Sequence, residues 1–182
     1  TLVNSEAFLL NDKQIEAEDS VYNCKKIISA VGSEPRDIRG LEFDHEFILN
    51  SDDILNLREL PKSILIIGSG AIGVEWARIL STFDVDVTVV EAANNILPVA
   101  DVEISKRLER IFKQKKIKFY TSTTVKKIQD KVLYLSSGDE ISVEKILLAV
   151  GRKPCTDKKL GGVTYIGDDC GEIQLAHYAI KQ

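Results

Sequence analysis

The sequence predicts an α/β fold: a parallel sheet with helical crossovers, joined to a short antiparallel meander. Three observations carry that expectation. Ile64-Leu65-Ile66-Ile67 is a continuous apolar run closed by Gly68, the pattern of a strand buried on both faces. A helical stretch follows at once, and then a second apolar strand, Asp86 to Glu91. After two short alternating segments, a third apolar run, Ile146-Leu147-Leu148-Ala149-Val150, is ended by Gly151.

Taken in chain order, residues 7–30 alternate and turn like short strands, with a polar turn at Asn11-Asp12-Lys13. The run Ile27 to Val31, stopped by Gly32, predicts another strand. Residues 33–62 hold Pro35, Gly40 and Pro61 and read as a linker, with a short helix near 51–55 for which Ser51 is the expected N-cap. The parallel sheet is expected from strands at about 63–67, 86–91, 117–120 and 146–150. Helices are expected at about 72–82 and 102–116. Asp101 is placed to cap the second helix, whose apolar residues Ile104, Leu108, Ile111 and Phe112 share one face at helical spacing. Lys113, Lys115 and Lys116 near its end suit the helix dipole. The meander is expected at 123–143, with its first turn at Asp130-Lys131.

Two strings repeat one another. Ile27 to Pro35 and Ile146 to Pro154 each run through an apolar strand into Ala-Val-Gly, with Pro three residues after the Gly. Two readings stand: unrelated strand exits, or the pair of strands through which the chain enters and leaves an inner domain.

The chain has 182 residues, a 44% hydrophobic fraction and 29% charged residues, enough for one ordinary domain and part of a second. The formal net charge of -4 argues against nucleic acid as a partner, because phosphate binding asks for a basic face. No run reaches the roughly 18 apolar residues of a membrane span, so no membrane partner is expected. The start, Thr1-Leu2-Val3-Asn4, has no basic segment with an apolar run behind it and reads as a cut inside a longer protein. Cys24, Cys155 and Cys170 form no close pair and no metal-ligand pattern with His45 and His177, so no metal is expected. Three thiols without framework spacing suit a reducing, cytoplasmic setting.

The chemistry concentrates at Gly68-Ser69-Gly70-Ala71-Ile72-Gly73. A lone GxGxxG is a weak signal, but this one follows a buried strand, opens a helix, and is followed by an acidic residue, Glu91, at the end of the next strand. That is the Rossmann-type dinucleotide fingerprint. Gly68 turns the chain off the strand, Gly70 leaves room for a pyrophosphate against the backbone, and Gly73 lets the helix lie close on the sheet. The N–H groups of Ala71 and Ile72 then face the phosphates at the helix start. Glu91 is expected to accept the adenosine ribose hydroxyls; the alternative is a solvated charge at a strand end. Ala92-Ala93-Asn94-Asn95 offers no cation for a 2′-phosphate, which favours NAD(H) over NADP(H). Glu75, in the first turn of the helix, either complements the dipole or serves the ligand.

Five separated strings then occur in one familiar order. They are Pro61-Lys62 before the strand, residues 70–75, Val87 to Glu91, Ala149 to Pro154, and Tyr165-Ile166-Gly167-Asp168 with Leu175-Ala176-His177. In this the chain resembles the pyridine nucleotide–disulfide oxidoreductase family, most closely its branch that oxidises a dihydrolipoamide dithiol. The resemblance implies an NAD-binding domain at 61–151. It makes 1–60 a partial segment of an FAD-binding domain with linker, and 152–182 a partial return to that domain. It implies NAD contacts at Gly68, Gly70, Gly73, Glu75 and Glu91, with Val125 near the adenine and Gly151 near the nicotinamide. FAD would be met by Asp168 and by the backbone around Ala176. For the parent protein it implies NAD and FAD as cofactors, a small-molecule or protein-bound dithiol as substrate, and a homodimer.

The departures from the family pattern are equally specific. An FAD fingerprint, a closely spaced redox cysteine pair and a C-terminal interface domain are absent from these residues. Asp157 to Gly161 also runs directly into Gly162 to Tyr165, where the family carries an intervening stretch. No catalytic residue is assigned, and the chain alone is expected not to oxidise a dithiol. Two other readings remain at this point: part of an NADH oxidase or ferredoxin reductase-type flavoprotein, and an NAD-sensing module without chemistry.

Overall fold

The computed structural model describes residues 2–156, 159–171, 174 and 176–181. In chain order the strands and helices are β1 (Ala7–Asn11), β2 (Gln14–Ala17), β3 (Ser20–Asn23), β4 (Ile28–Ser29), β5 (Ser33–Pro35), β6 (Ile48–Leu49), β7 (Ser63–Ile67), α1 (Ala71–Thr82) and β8 (Asp86–Val90). Then come α2 (Val102–Gln114), β9 (Lys118–Tyr120), β10 (Val125–Gln129), β11 (Val132–Leu135), β12 (Glu140–Ser142), β13 (Lys145–Leu148), β14 (Arg152–Pro154), β15 (Thr164–Tyr165) and α3 (Ala176–Ala179). The fold is mixed α/β, as the sequence predicts. The chain divides into two compact units, one of residues 35–151 and one of residues 1–34 with 152–182.

The inner unit is built on a five-stranded sheet in the order β6-β13-β7-β8-β9. All its pairings are parallel, with Ile64 beside Val87, Ile66 beside Val89 and Val89 beside Phe119. The side-chain period of two divides β7 and β8 cleanly. Ile64, Ile66, Val87 and Val89 pack with Val74, Ala77 and Leu80 of α1 and Phe112 of α2, whereas Leu65, Ile67 and Val90 pack with Leu133, Leu135 and Val143 around the meander. One face of the sheet therefore carries helices and the other carries the antiparallel strands β10-β11-β12. That double covering explains why Ile64 to Ile67 reads as an unbroken apolar run. At the turn between β10 and β11, Asp130 and Lys131 both adopt positive φ, 52° and 61°, as a tight hairpin turn requires.

Residues 35–60 belong to this unit, although their composition groups them with a linker. Leu41, Leu49 and Ile54 are buried, and β6 adds a sheet edge beside β13. The backbone here is held by side chains. Asp44 Oδ1 accepts the N–H groups of Glu46, Phe47 and Ile48 at 2.9, 2.7 and 2.8 Å. Partial burial would raise the Asp44 pKa, but these N–H groups outweigh it and hold the carboxyl below its ordinary value. Asp44→Ala should therefore cost about 1–2 kcal/mol in urea unfolding at neutral pH. Because the folded pKa is the lowered one, the stabilisation is complete above the unfolded value and is lost as pH falls through the folded one. The gap between wild type and Asp44→Ala should accordingly close in acid, while Asp44→Asn should show little pH dependence of its own.

Three local expectations are corrected. The helix near 51–55 is a single 3₁₀ turn, Ile54–Asn56, and the residue at its N-cap is Asp53 and not Ser51. Asn50 Oδ1 accepts the N–H groups of Asp52 and Asp53 instead, and Asp53 Oδ2 accepts the Asn50 N–H in return. The carbonyl-bearing Asn50 is buried and aimed along the turn, which no periodicity announces. On α2, Ile104 and Ile111 are 56% and 39% exposed, while Ser105 and Phe112 are 1% exposed. The core-facing stripe thus runs through 105, 108 and 112, one position around from the apolar pattern. Its N-cap is as expected: Asp101 accepts the Glu103 N–H at 2.8 Å. The helix ends at Gln114, two residues before Lys116 takes φ 59°. Finally, the strand expected over 27–31 is only Ile28–Ser29, paired with β15, and Ile28 and Val31 remain exposed.

In the outer unit, β1-β2-β3 form an antiparallel sheet, β4 lies parallel to β15, and β5 pairs with β14. The two repeated strings thus meet through their tails. Cys155 N–H donates to Gly32 O at 3.0 Å, and Lys153 pairs with Glu34 at 2.9 Å.

Candidate nucleotide-binding site

From β7 the chain steps through α1, β8, α2 and β9 in one direction across the sheet, and β13 then returns on the opposite side of β7. The order reverses between β7 and β13, and in open α/β sheets the crevice at the carboxyl end of such a reversal is where ligands bind. The glycine loop lies at that end. Gly68 N–H donates to Val90 O at 2.8 Å, and Ala149 N–H donates to Ile67 O at 2.8 Å.

The three glycines are required for different reasons. Gly68 has φ 96°, and a Cβ there would stand 2.5 Å from the Ala149 carbonyl oxygen. At Gly73 a Cβ would stand 2.0 Å from Gly68 O and 3.5 Å from Ile66 Cγ2, so helix and strand can approach this closely only without a side chain. At Gly70 a Cβ would meet nothing within 4 Å. The first two glycines are demanded by the protein itself, and the third is not. Gly70 is also the N-cap residue of α1 and supplies no side-chain hydrogen bond, so the first N–H groups of the helix have no side-chain cap. Ala71 is exposed at that start and Ile72 packs half-buried against the helix–sheet core.

Glu91 follows β8 directly and is half-buried. Its Oε2 accepts the Ser69 N–H at 2.7 Å and the Ser69 hydroxyl at 2.8 Å, and its Oε1 accepts the Ala93 N–H at 2.8 Å. Burial pushes the carboxyl up, but the N–H groups of Ala93 and Ser69, the Ser69 hydroxyl and the Ala92 N–H outweigh it, so the pKa lies below the ordinary glutamate value. Glu91 is thus an ionised acceptor held against the glycine loop.

The same sheet edge gathers further residues. Thr123 N–H donates to Glu91 O at 2.9 Å, which draws the segment leading to half-buried Val125 up to this end. Gly151, with φ 109° and open space around its Cα, follows β13 beside the Ala149 carbonyl that Gly68 abuts. Glu75 is exposed and lines an apolar groove between α1 and α2 together with Val74, Arg78, Ile79, Leu108 and Ile111.

Asp168 and Ala176 lie in the outer unit. Asp168 Oδ2 accepts the Ser33 hydroxyl at 2.7 Å, and Ser33 in turn receives Arg152 through its hydroxyl and its carbonyl at 2.8 and 2.6 Å. The next residue, Asp169, is fully buried; one of its oxygens accepts the Ser29 hydroxyl and the other has no hydrogen-bond partner among the described residues. Ala176 begins the short α3, and Leu175 beside it lies outside the described residues. Among the described residues no group of three metal-ligating side chains occurs, and no helix is long and apolar enough to cross a membrane.

Residues that the sequence pattern did not single out include Ser69, Ala93, Ser33, Arg152 and Asp169. Ser69 occupies a freely variable position of the motif, and its complete burial follows from the fold of the loop. Arg152 had a signal, since it directly follows Gly151 in one of the repeated strings.

Comparison with known proteins gives one family. That described as pyridine nucleotide-disulphide oxidoreductase matches residues 2–179. A dihydrolipoyl dehydrogenase of Bacillus subtilis is 38% identical over 195 residues, covering 89% of this chain and 41% of the relative. One of Mycobacterium leprae is 36% identical over 187 residues, covering 86% of this chain and 40% of the relative. The chain thus spans about two fifths of the length of these relatives. A second Bacillus subtilis dihydrolipoyl dehydrogenase aligns over 213 residues although this chain has 182, so the relative carries stretches that this chain does not. Among solved structures, the HOCl-induced flavoprotein disulfide reductase RclA of Escherichia coli superposes with a TM-score of 0.85 at 22% identity, covering 98% of this chain and 48% of that one. At that identity the likeness concerns the fold.

Proposed function

Because the chain belongs to the pyridine nucleotide-disulphide oxidoreductase family, we propose that its residues 35–151 are the NAD(H)-binding part of a flavin-dependent dithiol oxidoreductase of the dihydrolipoyl dehydrogenase type. The observation that carries this reading is the pairing of an open Gly70 with an ionised Glu91 at the topological switch point. Gly68 and Gly73 set the loop, and the N–H groups of Ala71 and Ile72 receive the pyrophosphate at the uncapped start of α1. Glu91 accepts the ribose hydroxyls, Val125 borders the adenine, and Gly151 borders the nicotinamide. Glu75, exposed on α1, takes the nicotinamide side of the nucleotide. Asp168 and the backbone at Ala176 serve FAD, a reading supported by the acidic pair Asp168-Asp169, one of whose buried oxygens has no hydrogen-bond partner among the described residues.

When bound, NAD would supply the hydride acceptor and a flavin the relay of electrons from a dithiol. What this chain contributes is binding, orientation and choice of nucleotide. Its Cys24, Cys155 and Cys170 offer no closely spaced pair to exchange with a dithiol, so in this proposal the thiol chemistry belongs to other parts of a longer protein, as does the homodimer.

Cofactor choice tests the proposal. A carboxylate facing the 2′ position accepts a hydroxyl and repels a phosphate, so NADH should bind more tightly than NADPH. Glu91→Ala should weaken NADH by about 1.5–3 kcal/mol and narrow the gap between the two nucleotides. Titration of both nucleotides at fixed ionic strength reads this directly. Equal affinity of the unaltered chain for the two would overturn the role given to Glu91.

A further inference from the structure

Ser69 is the first variable residue of the glycine motif, yet it is completely buried and its side chain bonds Glu91. Its N–H and its hydroxyl both donate to Oε2 of Glu91, at 2.7 and 2.8 Å. Its carbonyl accepts the Leu97 N–H at 2.9 Å, and its hydroxyl oxygen lies 3.3 Å from the same N–H. Ala93 N–H holds the other carboxylate oxygen at 2.8 Å. The carboxylate is therefore gripped from two sides, by the loop after β7 and by the loop after β8, and its plane is fixed before any nucleotide arrives. Oε2 spends both of its acceptor sites on Ser69, so the capacity offered to a ribose hydroxyl lies at Oε1, beside the Ala93 N–H.

We propose that Ser69 is a positioning residue for nucleotide choice: its hydroxyl aims the Glu91 carboxylate at the ribose hydroxyls and so sets the preference for NADH over NADPH. This rests on the reading of the inner unit as an NAD(H) site and extends it to a residue that would not itself touch the nucleotide. The mechanism is preorganisation. A glutamate free to rotate must give up side-chain freedom on accepting a ribose hydroxyl, and one already fixed does not. The fixed carboxylate also meets a 2′-phosphate without being able to swing away, which makes discrimination sharper than attraction alone would. A hydroxyl is needed for this, because only a donor at Oγ can reach Oε2 while the backbone N–H occupies its other side. The groups acting on Glu91 are its own burial, the N–H groups of Ala93, Ser69 and Ala92, and the Ser69 hydroxyl.

Ser69→Ala in the 182-residue chain tests the assignment, with melting followed to establish that the variant is folded. NADH affinity should fall about tenfold, the scale of one hydrogen bond to a charged group, and NADPH affinity should change less, so that the preference narrows. Independently of any nucleotide, the Glu91 carboxyl, followed by NMR across an acid titration, should titrate at higher pH in Ser69→Ala than in the unaltered chain. Ser69→Cys, which keeps a weak donor of similar size, should fall between the two. A serine that only shaped the loop would lower stability and leave the Glu91 titration in place. An unchanged titration together with an unchanged NADH-to-NADPH ratio would overturn the inference for Ser69 while leaving the NAD(H) site standing. An unaltered chain that shows no preference would instead overturn the NAD(H) reading; the Glu91 titration would still report on the Ser69 contact. If Ser69→Ala does not fold, the titration of Ser69→Cys decides, and no upward movement of the Glu91 midpoint counts against the inference.

Discussion

Gly73→Ala is expected to lower stability by about 3 kcal/mol or more and to remove measurable NADH binding. The added methyl would sit 2.0 Å from Gly68 O, and that oxygen belongs to backbone held between β7 and the motif. No rotamer change relieves such a contact. Either α1 lifts from the sheet, opening the contacts of Val74, Ala77 and Leu80 with Ile64 and Ile66, or the loop at Gly68 moves and carries Ser69 away from Glu91. Gly70→Ala makes the control. Its φ of -65° is open to alanine and its Cβ meets nothing, so stability should change by less than about 1 kcal/mol while NADH binding still weakens. Urea unfolding beside nucleotide titration separates the two glycines. A Gly70→Ala chain that binds NADH as before would mean that the open space at Gly70 is not where the pyrophosphate lies.

Phe112→Ala should cost about 3–5 kcal/mol, because the ring is 1% exposed and closes the core between α2 and the sheet. The cavity has little means of collapse, since Phe112 O also accepts the Ile117 N–H at 3.0 Å and pins the helix end to the start of β9. Ile104→Ala, on the same helix and equally apolar, should cost less than about 0.5 kcal/mol, because Ile104 is 56% exposed. Equal losses at the two positions, measured in the same denaturant series, would mean that α2 packs through Ile104 and Ile111 as the bare hydrophobic pattern implies.

That contrast shows where sequence pattern stops. The strands β7 and β13 are legible because a strand covered on both faces leaves an unbroken apolar run, and β8 because its β-branched residues 87–90 lead straight into Glu91; the three end at Gly68, Gly151 and Glu91. The rotation of α2 was not legible, because Ile104, Leu108, Ile111 and Phe112 form an apolar arc wider than the stripe that packs. Only contact with Val74 and Ile96 decides which edge of the arc goes inside. Asn50 and Asp44 escaped for another reason. Polar side chains that satisfy a local backbone have no period to detect, and their partners are set by the turn itself. The site divides the same way: the three glycines and Glu91 stand out by spacing, whereas the serine that grips Glu91 is named only by the folded loop.

In the sequence, one unit is an insertion between two segments of the other, and this favours an order of events. Ser29 and Asp169 meet across 140 residues of chain, and β4 and β15 pair beside them. Joining such distant segments while the intervening chain is loose is entropically costly. Once residues 35–151 have folded, however, the Arg36 N–H donates to Gly151 O at 3.0 Å, and the two ends of that insert are one hydrogen bond apart. The loop left to close is then roughly 25 residues instead of the full span, which lowers its closure cost by about 1.5 kcal/mol. The inner unit is therefore expected to condense first, and in a pulsed hydrogen-exchange refolding experiment the amides of β7 and β8 should be protected before those of β4 and β15.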